Sequence, residues 1–468
     1  MLRVLMILLV ASTVARADPD VRGISLEDAI AMALTRNRDI AAQELELNGR
    51  VLTAEQARYR FAFNLRPIAS AAIQSSADIA RYGVIGSQRL PFGPEIEAGI
   101  RAEESNFDNA ERRRSGIGHV ELRQPVFRDW GSLVNQESIE RADSRVTAGR
   151  RLLELRKNDL VVQVVETSQG LLRLQRLIED EKRTIERYDR LLRLTRAREK
   201  QGRSTRVDTL RVAFLKGQSE SRLASTAEQL RSLQSDFASL LGGGPDELWM
   251  PEESEDLRWS RPDRDFAINL ALSNRLDFAQ ALQDEVDAAR GVRVATKRLQ
   301  PALSLVARYE RFGVGPDWGS AWGFDDDNWS IALGADSDFF LRDERVGVAQ
   351  AGLDRQTAAI RVDDMDAMIR RQVDQSLSAH RRAEAEMEIA ERNVELAAQR
   401  AVLARRLFEK GRVDNTAASD AEAELLDART KLLNARAEAV VAGYRLLRTM
   451  GMLMESPDDL KPPAVRRI

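Results

Sequence analysis

The chain of 468 residues has no cysteine, only two histidines and an aromatic share of 5%. The missing cysteine excludes thiol catalysis, Cys-based zinc or iron–sulfur sites, disulfides and a Cys-borne lipid anchor. His119 and His380 are far apart in sequence, so neither a His-based triad nor a metal cluster is expected. No enzyme activity and no cofactor are expected either. Few aromatics beside 31% charged residues is the balance of long helices and coiled coils, not of a compact enzyme core. The 71 basic residues nearly cancel the 74 acidic ones, which argues against a nucleic-acid partner. Proline is absent from 126 to 244 and again from 317 to 456. Beyond residue 17 no apolar run approaches the length of a transmembrane helix.

The N-terminus carries a specific signal. Arg3 precedes the apolar run Val4 to Val10, and Ala15-Arg-Ala17 precedes Asp18. A basic start, a short apolar core and an A-x-A site predict a secretory signal peptide over 1–17. An exported, Cys-free chain without spanning helices is periplasmic, secreted, or inserted as a β-barrel.

Beyond the signal the chain uses one plan twice. Ser25 can cap a helix whose apolar residues Ala29, Ala33 and Ile40 recur at helical spacing, with Pro67 marking its end. Ala33 to Asp39 lines up with Ala271 to Asp277 at an offset of 238, and Pro301 closes the second helix. Alternating runs come next. Leu303, Leu305, Ala307 and Tyr309 alternate with polar neighbours, as do Trp329, Ile331, Leu333 and Ala335. In the first half Ile96, Ala98, Ile100 and Ala102 alternate with mostly charged residues, Val120 and Leu122 do likewise, and a weaker strand covers 68–73. Period-two alternation predicts strands, and in an exported protein it also fits a membrane barrel wall. Trp318, Trp322 and Trp329 cluster with Phe312 and Phe324, a pattern of membrane interfaces.

Long helices occupy the proline-free stretches. Leu160, Val164, Thr167, Leu171, Leu174 and Ile178 keep a four–three spacing that continues through Ile185, Tyr188 and Leu192. Ala390 to Phe408 and Leu425 to Leu446 repeat it with alanine-rich seams. Sustained seven-residue periodicity predicts coiled-coil packing. Gly202 and Gly411 are the breaks, set in similar contexts, and predict hairpin tips. Gly202 to Gly242 and Gly411 to Gly451 are both 40 residues, and the ascending arms from Phe127 and Phe340 measure 75 and 71. Such an arm would reach roughly 100 Å.

The resulting organisation is a first repeat over 18–242 (strands about 67–126, tip at 202), a linker over 243–263, a second repeat over 264–451 (strands about 301–340, tip at 411) and a tail over 452–468. Four or five membrane strands per chain cannot close, because single-chain barrels begin at about eight. Open edges are not tolerated in lipid. The barrel is therefore expected to be shared: a cyclic trimer with four strands per subunit closes at twelve.

This pattern resembles the TolC family of outer membrane efflux proteins. The carrying features are Leu26-Glu-Asp-Ala29 with Asn37-Arg-Asp39, their counterpart Arg275-Leu-Asp277, the junction Gln124-Pro-Val-Phe127 and the paired tips. The resemblance implies a mainly α fold with β: duplicated coiled-coil hairpins forming a trimeric α-barrel tunnel, continuous with a shared twelve-stranded β-barrel in the outer membrane. It implies a passive exit duct with a long periplasmic portion, serving a tripartite efflux or type I secretion system. The implied partners are a periplasmic adaptor, an inner-membrane pump of RND or ABC type, and outer-membrane lipid. The family narrows the periplasmic end with acidic residues after the second tip, held by the first hairpin. Asp420 falls at one such position and Ala417 at the other. Asp208 matches the acid of the first hairpin, and Phe408 stands where the family often has Tyr. Arg203 and Arg412, beside the tip glycines, are candidates for contacting the adaptor.

Two departures stand out. The second junction, Asp336 to Phe340, lacks proline, and the first strand segment is about 20 residues longer than its partner. Arg89 to Gly93 and the Ile96 strand imply an extra hairpin over about 82–104, which the sequence does not place in the wall, the lumen or outside. Met450, Met452 and Met454 are read as packing residues before a soft-metal site, and Asp325 to Asp327 as a solvated loop before a calcium site. The alternative functions are a periplasmic adaptor or a structural coiled-coil protein without channel activity. The duplicated strands argue against both.

Overall fold

The structure, a computed structural model, describes residues 22–73, 77–107, 112–244, 247–253, 262–336 and 340–463. The expected signal peptide (1–17), Trp259 of the linker and residues 337–339 of the second junction lie outside them. In chain order the elements are β1 (Arg22–Ile24), α1 (Leu26–Arg36), α2 (Arg38–Tyr59), β2 (Asn64–Ile73), β3 (Ala77–Arg89), β4 (Glu95–Phe107) and β5 (Arg113–Pro125). Next come α3 (Ser132–Asn135), α4 (Glu137–Lys200), α5 (Arg206–Leu240), β6 (Trp249–Pro251), α6 (Arg264–Asn274) and α7 (Leu276–Arg298). The last are β7 (Leu303–Gly315), α8 (Trp318–Ala321), β8 (Asp326–Ala335), α9 (Arg342–Glu409) and α10 (Asn415–Thr449). Backbone contacts divide the chain into two compact units, and each draws on both sequence repeats.

The first unit holds residues up to 43, 154–275 and 369–456. Its core is the predicted seam: Leu160, Val164, Leu171, Leu174 and Tyr188 on α4 are buried, as are Ala397, Ala401, Leu425 and Ala428 on α9 and α10. The single helix expected after Ser25 is two helices. Ser25 does cap α1, accepting from the Asp28 N–H. At Asn37 the backbone turns extended (ψ 132°), and its side chain accepts from the Asp39 and Ile40 N–H groups while donating to the Leu240 carbonyl. Asn37 thus ends one helix and caps the next. Arg275 makes the equivalent break between α6 and α7, with ψ 122°. β1 and β6 form a short parallel pair that sequence patterning does not signal.

All four long-helix ends of this unit close alike. Gly202, Gly242, Gly411 and Gly451 have φ between +67° and +76°. In each case the next residue's N–H returns to the carbonyl five residues back, from Arg203, Gly243, Arg412 and Met452. This is the left-handed glycine cap. Gly242 has a second constraint, since a Cβ there would lie 2.2 Å from the Arg36 carbonyl oxygen.

The second unit holds 44–153, 276–368 and the segment from 457. It contains one six-stranded antiparallel sheet, in the order β2-β3-β4-β5-β7-β8. The four inner strands have 13 residues each and the two edge strands 10. Five of the six strands were expected from alternation, and β3 is the other arm of the hairpin expected over about 82–104; Gly83, Gly86 and charged Arg81 dilute its own alternation. The ladder joins six strands, where the expected twelve-stranded trimer counts four per subunit.

Candidate functional site

The residues singled out by the sequence fall in two regions: the hairpin tips in the first unit and the sheet in the second.

At the tips, the two glycines sit 209 residues apart, and the same offset relates Arg211 to Asp420. These two equivalent positions pair with each other, Arg211 Nη2 to Asp420 Oδ1 at 3.4 Å, with side chains about half exposed. Arg211 also donates to Thr416 Oγ1 at 3.1 Å, and Asn415 donates to the Asp208 carbonyl at 3.1 Å. Two residues further along α10 the exposed pair gives way to a more buried one, Arg187 to Glu422 at 2.6 Å. These bonds tie the start of α10 to the first hairpin.

The other expected aperture residues, Asp208 and Phe408, make local contacts at the tips. Asp208 is the N3 residue of α5 in a capping box: its carboxylate accepts from the Thr205 N–H at 2.8 Å, while Thr205 Oγ1 accepts from the Asp208 N–H. The Thr205 and Ser204 donors hold its carboxyl below the ordinary range. The motif Thr205-Arg-Val-Asp208 is legible as such in the sequence, although the family resemblance casts Asp208 as a pore acid. Phe408 is 2% exposed, packed with Tyr188, Leu192, Val212 and Ala418, with the Arg198 guanidinium 4.3 Å from its ring centroid. It fastens the tip's core and presents no surface. Arg203 and Arg412 are exposed. An apolar stripe, Val207, Leu210 and Phe214, is exposed on α5 nearby.

In the sheet, register sorts the side chains by face. Leu65, Gly86, Ala98, Val120, Tyr309 and Trp329 form one row across all six strands. The adjacent row, on the opposite face, is Asn64, Ser87, Glu97, Glu121, Arg308 and Ser330. The first face continues through Ile96, Ile100, Leu122, Ile331 and Leu333, all exposed. The second bears a ladder of ion pairs: Arg81–Glu103 (2.6 Å), Arg89–Glu95 (3.3 Å), Arg123–Glu121 (3.4 Å) and Arg308–Glu310 (3.1 Å). An exposed apolar face backed by a charged one inverts the ordering of a soluble sheet, which would bury its apolar side.

The three tryptophans gather on the apolar face. Trp329 lies in its first row, 70% exposed. Helix α8 lies over Gly116 and Gly313, where a Cβ would sit 2.6 Å from the Ala321 carbonyl oxygen, so only glycine permits this approach. Trp318 then reaches Tyr82, ring centroids 5.7 Å apart, and Trp322 packs edge-on to Phe324. Of the methionines, Met450 is buried, while Met452 is about half exposed with its sulfur accepting from Asn274. Among the described residues no helix is long and apolar enough to cross a membrane.

Comparison with known proteins places this geometry. Residues 267–452 match the family model described as outer membrane efflux protein. No protein with a curated description matches the chain. Solved structures align over nearly its whole length. The outer-membrane channel OprN matches with TM-score 0.72 at 17% identity, covering 91% of this chain and 89% of that one. The outer membrane protein VceC of Vibrio cholerae matches with TM-score 0.71 at 17% identity, covering 91% and 96%. The outer membrane channel CmeC of Campylobacter jejuni matches with TM-score 0.72 at 12% identity, covering 93% and 87%. Residues 267–452 therefore carry the outer membrane efflux protein domain, and the chain as a whole has the fold of outer membrane channels over nine-tenths of its length.

Proposed function

We propose that this chain assembles as a homotrimer into an outer-membrane exit duct, with its helical hairpins in the periplasm. In this reading it passively conducts what an inner-membrane pump delivers through a periplasmic adaptor. The observation that carries the reading is the two-faced sheet: an exposed apolar face edged by tryptophans suits lipid, and the ion-paired face suits a water-filled lumen. Self-association has its own support in exposed apolar stripes at heptad spacing. Leu45, Leu52 and Tyr59 on α2, and Val346, Leu353 and Ile360 on α9, are each more than half exposed. Such stripes are coiled-coil seams awaiting a partner.

The tips are proposed as the periplasmic aperture and docking end. Of the two expected aperture acids Asp420 is the exposed one, and it pairs with Arg211; removing it would leave an unpaired guanidinium on each of three copies around an axis and turn the local potential positive. Arg203 and Arg412 are proposed as adaptor contacts. Outer-membrane fractionation with cross-linking tests the assembly: an extraction-resistant trimer is expected, and a soluble monomer or dimer would refute the duct. Planar-bilayer recordings test the aperture. Asp420→Ala is expected to lower cation selectivity, and unchanged selectivity would remove Asp420 from that role.

A further inference from the structure

The β3–β4 hairpin, which the sequence could not place, lies inside the sheet and not on its rim. β3 is laddered to β2 on one side and β4 to β5 on the other. Among the described residues β2 has no ladder partner but β3, so the hairpin cannot leave the sheet without stranding β2. Both faces run through it unbroken. Gly86 and Ala98 sit in the apolar row, Ser87 and Glu97 in the polar one, and Arg81 pairs with Glu103 on the polar side. Tyr82, Val84, Ile96 and Ile100 are exposed on the apolar side, as their counterparts on β5, β7 and β8 are. A plug in the lumen or a flap in water gains nothing from that alternation. At 13 residues each, β3 and β4 exceed the roughly 9–11 a membrane strand needs.

The turn that joins them is anchored at the junction where β5 leads back to the helices. Within Leu90–Pro94, Gly93 adopts φ +123°. The Phe92 carbonyl accepts from the Gly131 N–H at 2.9 Å, and the Phe92 ring meets Trp130 edge-on at 5.7 Å. The hairpin is thereby pinned beside a strand that the wall requires.

From this placement we infer that the whole six-stranded sheet enters the membrane wall, so that three copies close a barrel of eighteen strands. The inference rests on the proposed trimeric outer-membrane duct and deepens it. The free edges fit the closure: β2 and β8 are both 10 residues long, and they run antiparallel because a six-strand meander is even. The edge of β8 on one copy is therefore laid against β2 of the next, and no edge is left in lipid. Barrel diameter grows roughly linearly with strand number, so this wall is about one and a half times as wide as a twelve-stranded one. Barrels of that size hold an aqueous channel. The outer-membrane passage then admits bulkier cargo than a twelve-stranded wall would.

The cysteine-free sequence makes the test clean. Single substitutions Ile100→Cys and Glu103→Cys probe the two faces of β4, and Ile331→Cys and Ser330→Cys probe those of β8 in the same full-length protein. Labelling with a charged maleimide on intact outer membranes is expected to alternate in both strands. Glu103→Cys and Ser330→Cys react, while Ile100→Cys and Ile331→Cys react several-fold more slowly until detergent strips the lipid. Should Ile100→Cys fail to assemble, Ala98→Cys and Glu97→Cys repeat the pair one step along. Alternation in β8 with equal labelling of both β4 positions would overturn the eighteen-stranded wall and leave the duct standing. Loss of alternation in β8 as well would overturn both. An electron-microscopy map of the purified trimer gives an independent count: eighteen wall strands support the inference, and a closed wall omitting β3 and β4 refutes it.

Discussion

The tip after α4 and the tip after α9 stop their helices with the same backbone hydrogen bonds and then diverge. Both use a left-handed glycine and a return to the carbonyl five residues back. Three residues before the glycine, however, the first tip has Glu199 and the second has Phe408. Glu199 accepts from Thr209 Oγ1 at 2.6 Å, whereas Phe408 is sunk among Tyr188, Leu192 and Val212. At the next helix start the first tip has a full capping box, while the second has Asp414 capping alone, because Ala417 stands where Asp208 does. Duplication thus preserved the backbone stop and released the side chains. One tip is held by local polar bonds, the other by burial against its neighbour.

That contrast predicts unequal sensitivity at equivalent positions. Phe408→Ala removes a buried ring and is expected to cost about 3–5 kcal/mol. Glu199→Ala, which removes one hydrogen bond and a loose, exposed ion pair with Arg206, is expected to cost about 1 kcal/mol. Tryptic cleavage at the tips under native conditions reads the difference, since cleavage follows local opening. Similar cleavage rates for the two variants would mean that the tips are not held by different means.

The four glycine stops can be separated in the same way. All share a positive φ, so replacement by alanine carries a conformational cost of about 1–2 kcal/mol at each. Nothing lies within 4 Å of a Cβ added at Gly202, whereas at Gly242 the Arg36 carbonyl oxygen would be 2.2 Å away. Backbone has to move there, and Gly242→Ala is expected to cost roughly 3 kcal/mol or more. Gly451→Ala, 3.0 Å from Asn274 Cβ, is expected to fall between the two. Detergent-solubilised thermal melts rank the three variants. An equal loss for Gly202→Ala and Gly242→Ala would make conformation, not the close approach, the cause.

Much of this is written in the sequence, because the signals that survive reading are periodic. Heptad seams, glycine stops and five of the six strands follow from spacing alone, and the structure places Leu160 to Leu192 and Ala390 to Phe408 in the seams as spaced. What escaped depended on partners remote in sequence. Helical periodicity runs through Asn37, and only the Leu240 carbonyl shows why the helix breaks there. Glycines blur the alternation of β3, so the sequence gives its hairpin over about 82–104 without a place, which the ladders to β2 and β4 supply. The exposed stripe Leu45, Leu52 and Tyr59 is legible at seven-residue spacing, but one chain alone does not show what it meets. Resemblance to a family puts Asp208 and Phe408 at the aperture, while the capping box of Asp208 and the burial of Phe408 are local contacts that no family position announces.

Asp208 gives the smallest effect and the sharpest sign. Its carboxylate is held below the ordinary range, first by the Thr205 N–H and hydroxyl and then by Ser204. A depressed folded value means the cap's stabilisation is complete above the unfolded carboxylate's value of about 4 and is lost as pH falls through the folded one. Asp208→Ala, which copies Ala417 of the second tip, is expected to cost about 1 kcal/mol near neutral pH, as lost caps do. The group is near the surface, so solvent screening keeps the effect in that range. Hydrogen exchange over 200–215, corrected for intrinsic rates, is expected to be flat from pH 7 to about 5 in the natural chain and to quicken below about 4. In Asp208→Ala it is already quicker at pH 7, and the acid step is missing. An acid step that persists without Asp208 would assign it to another carboxylate, and the two tips would then differ by burial alone.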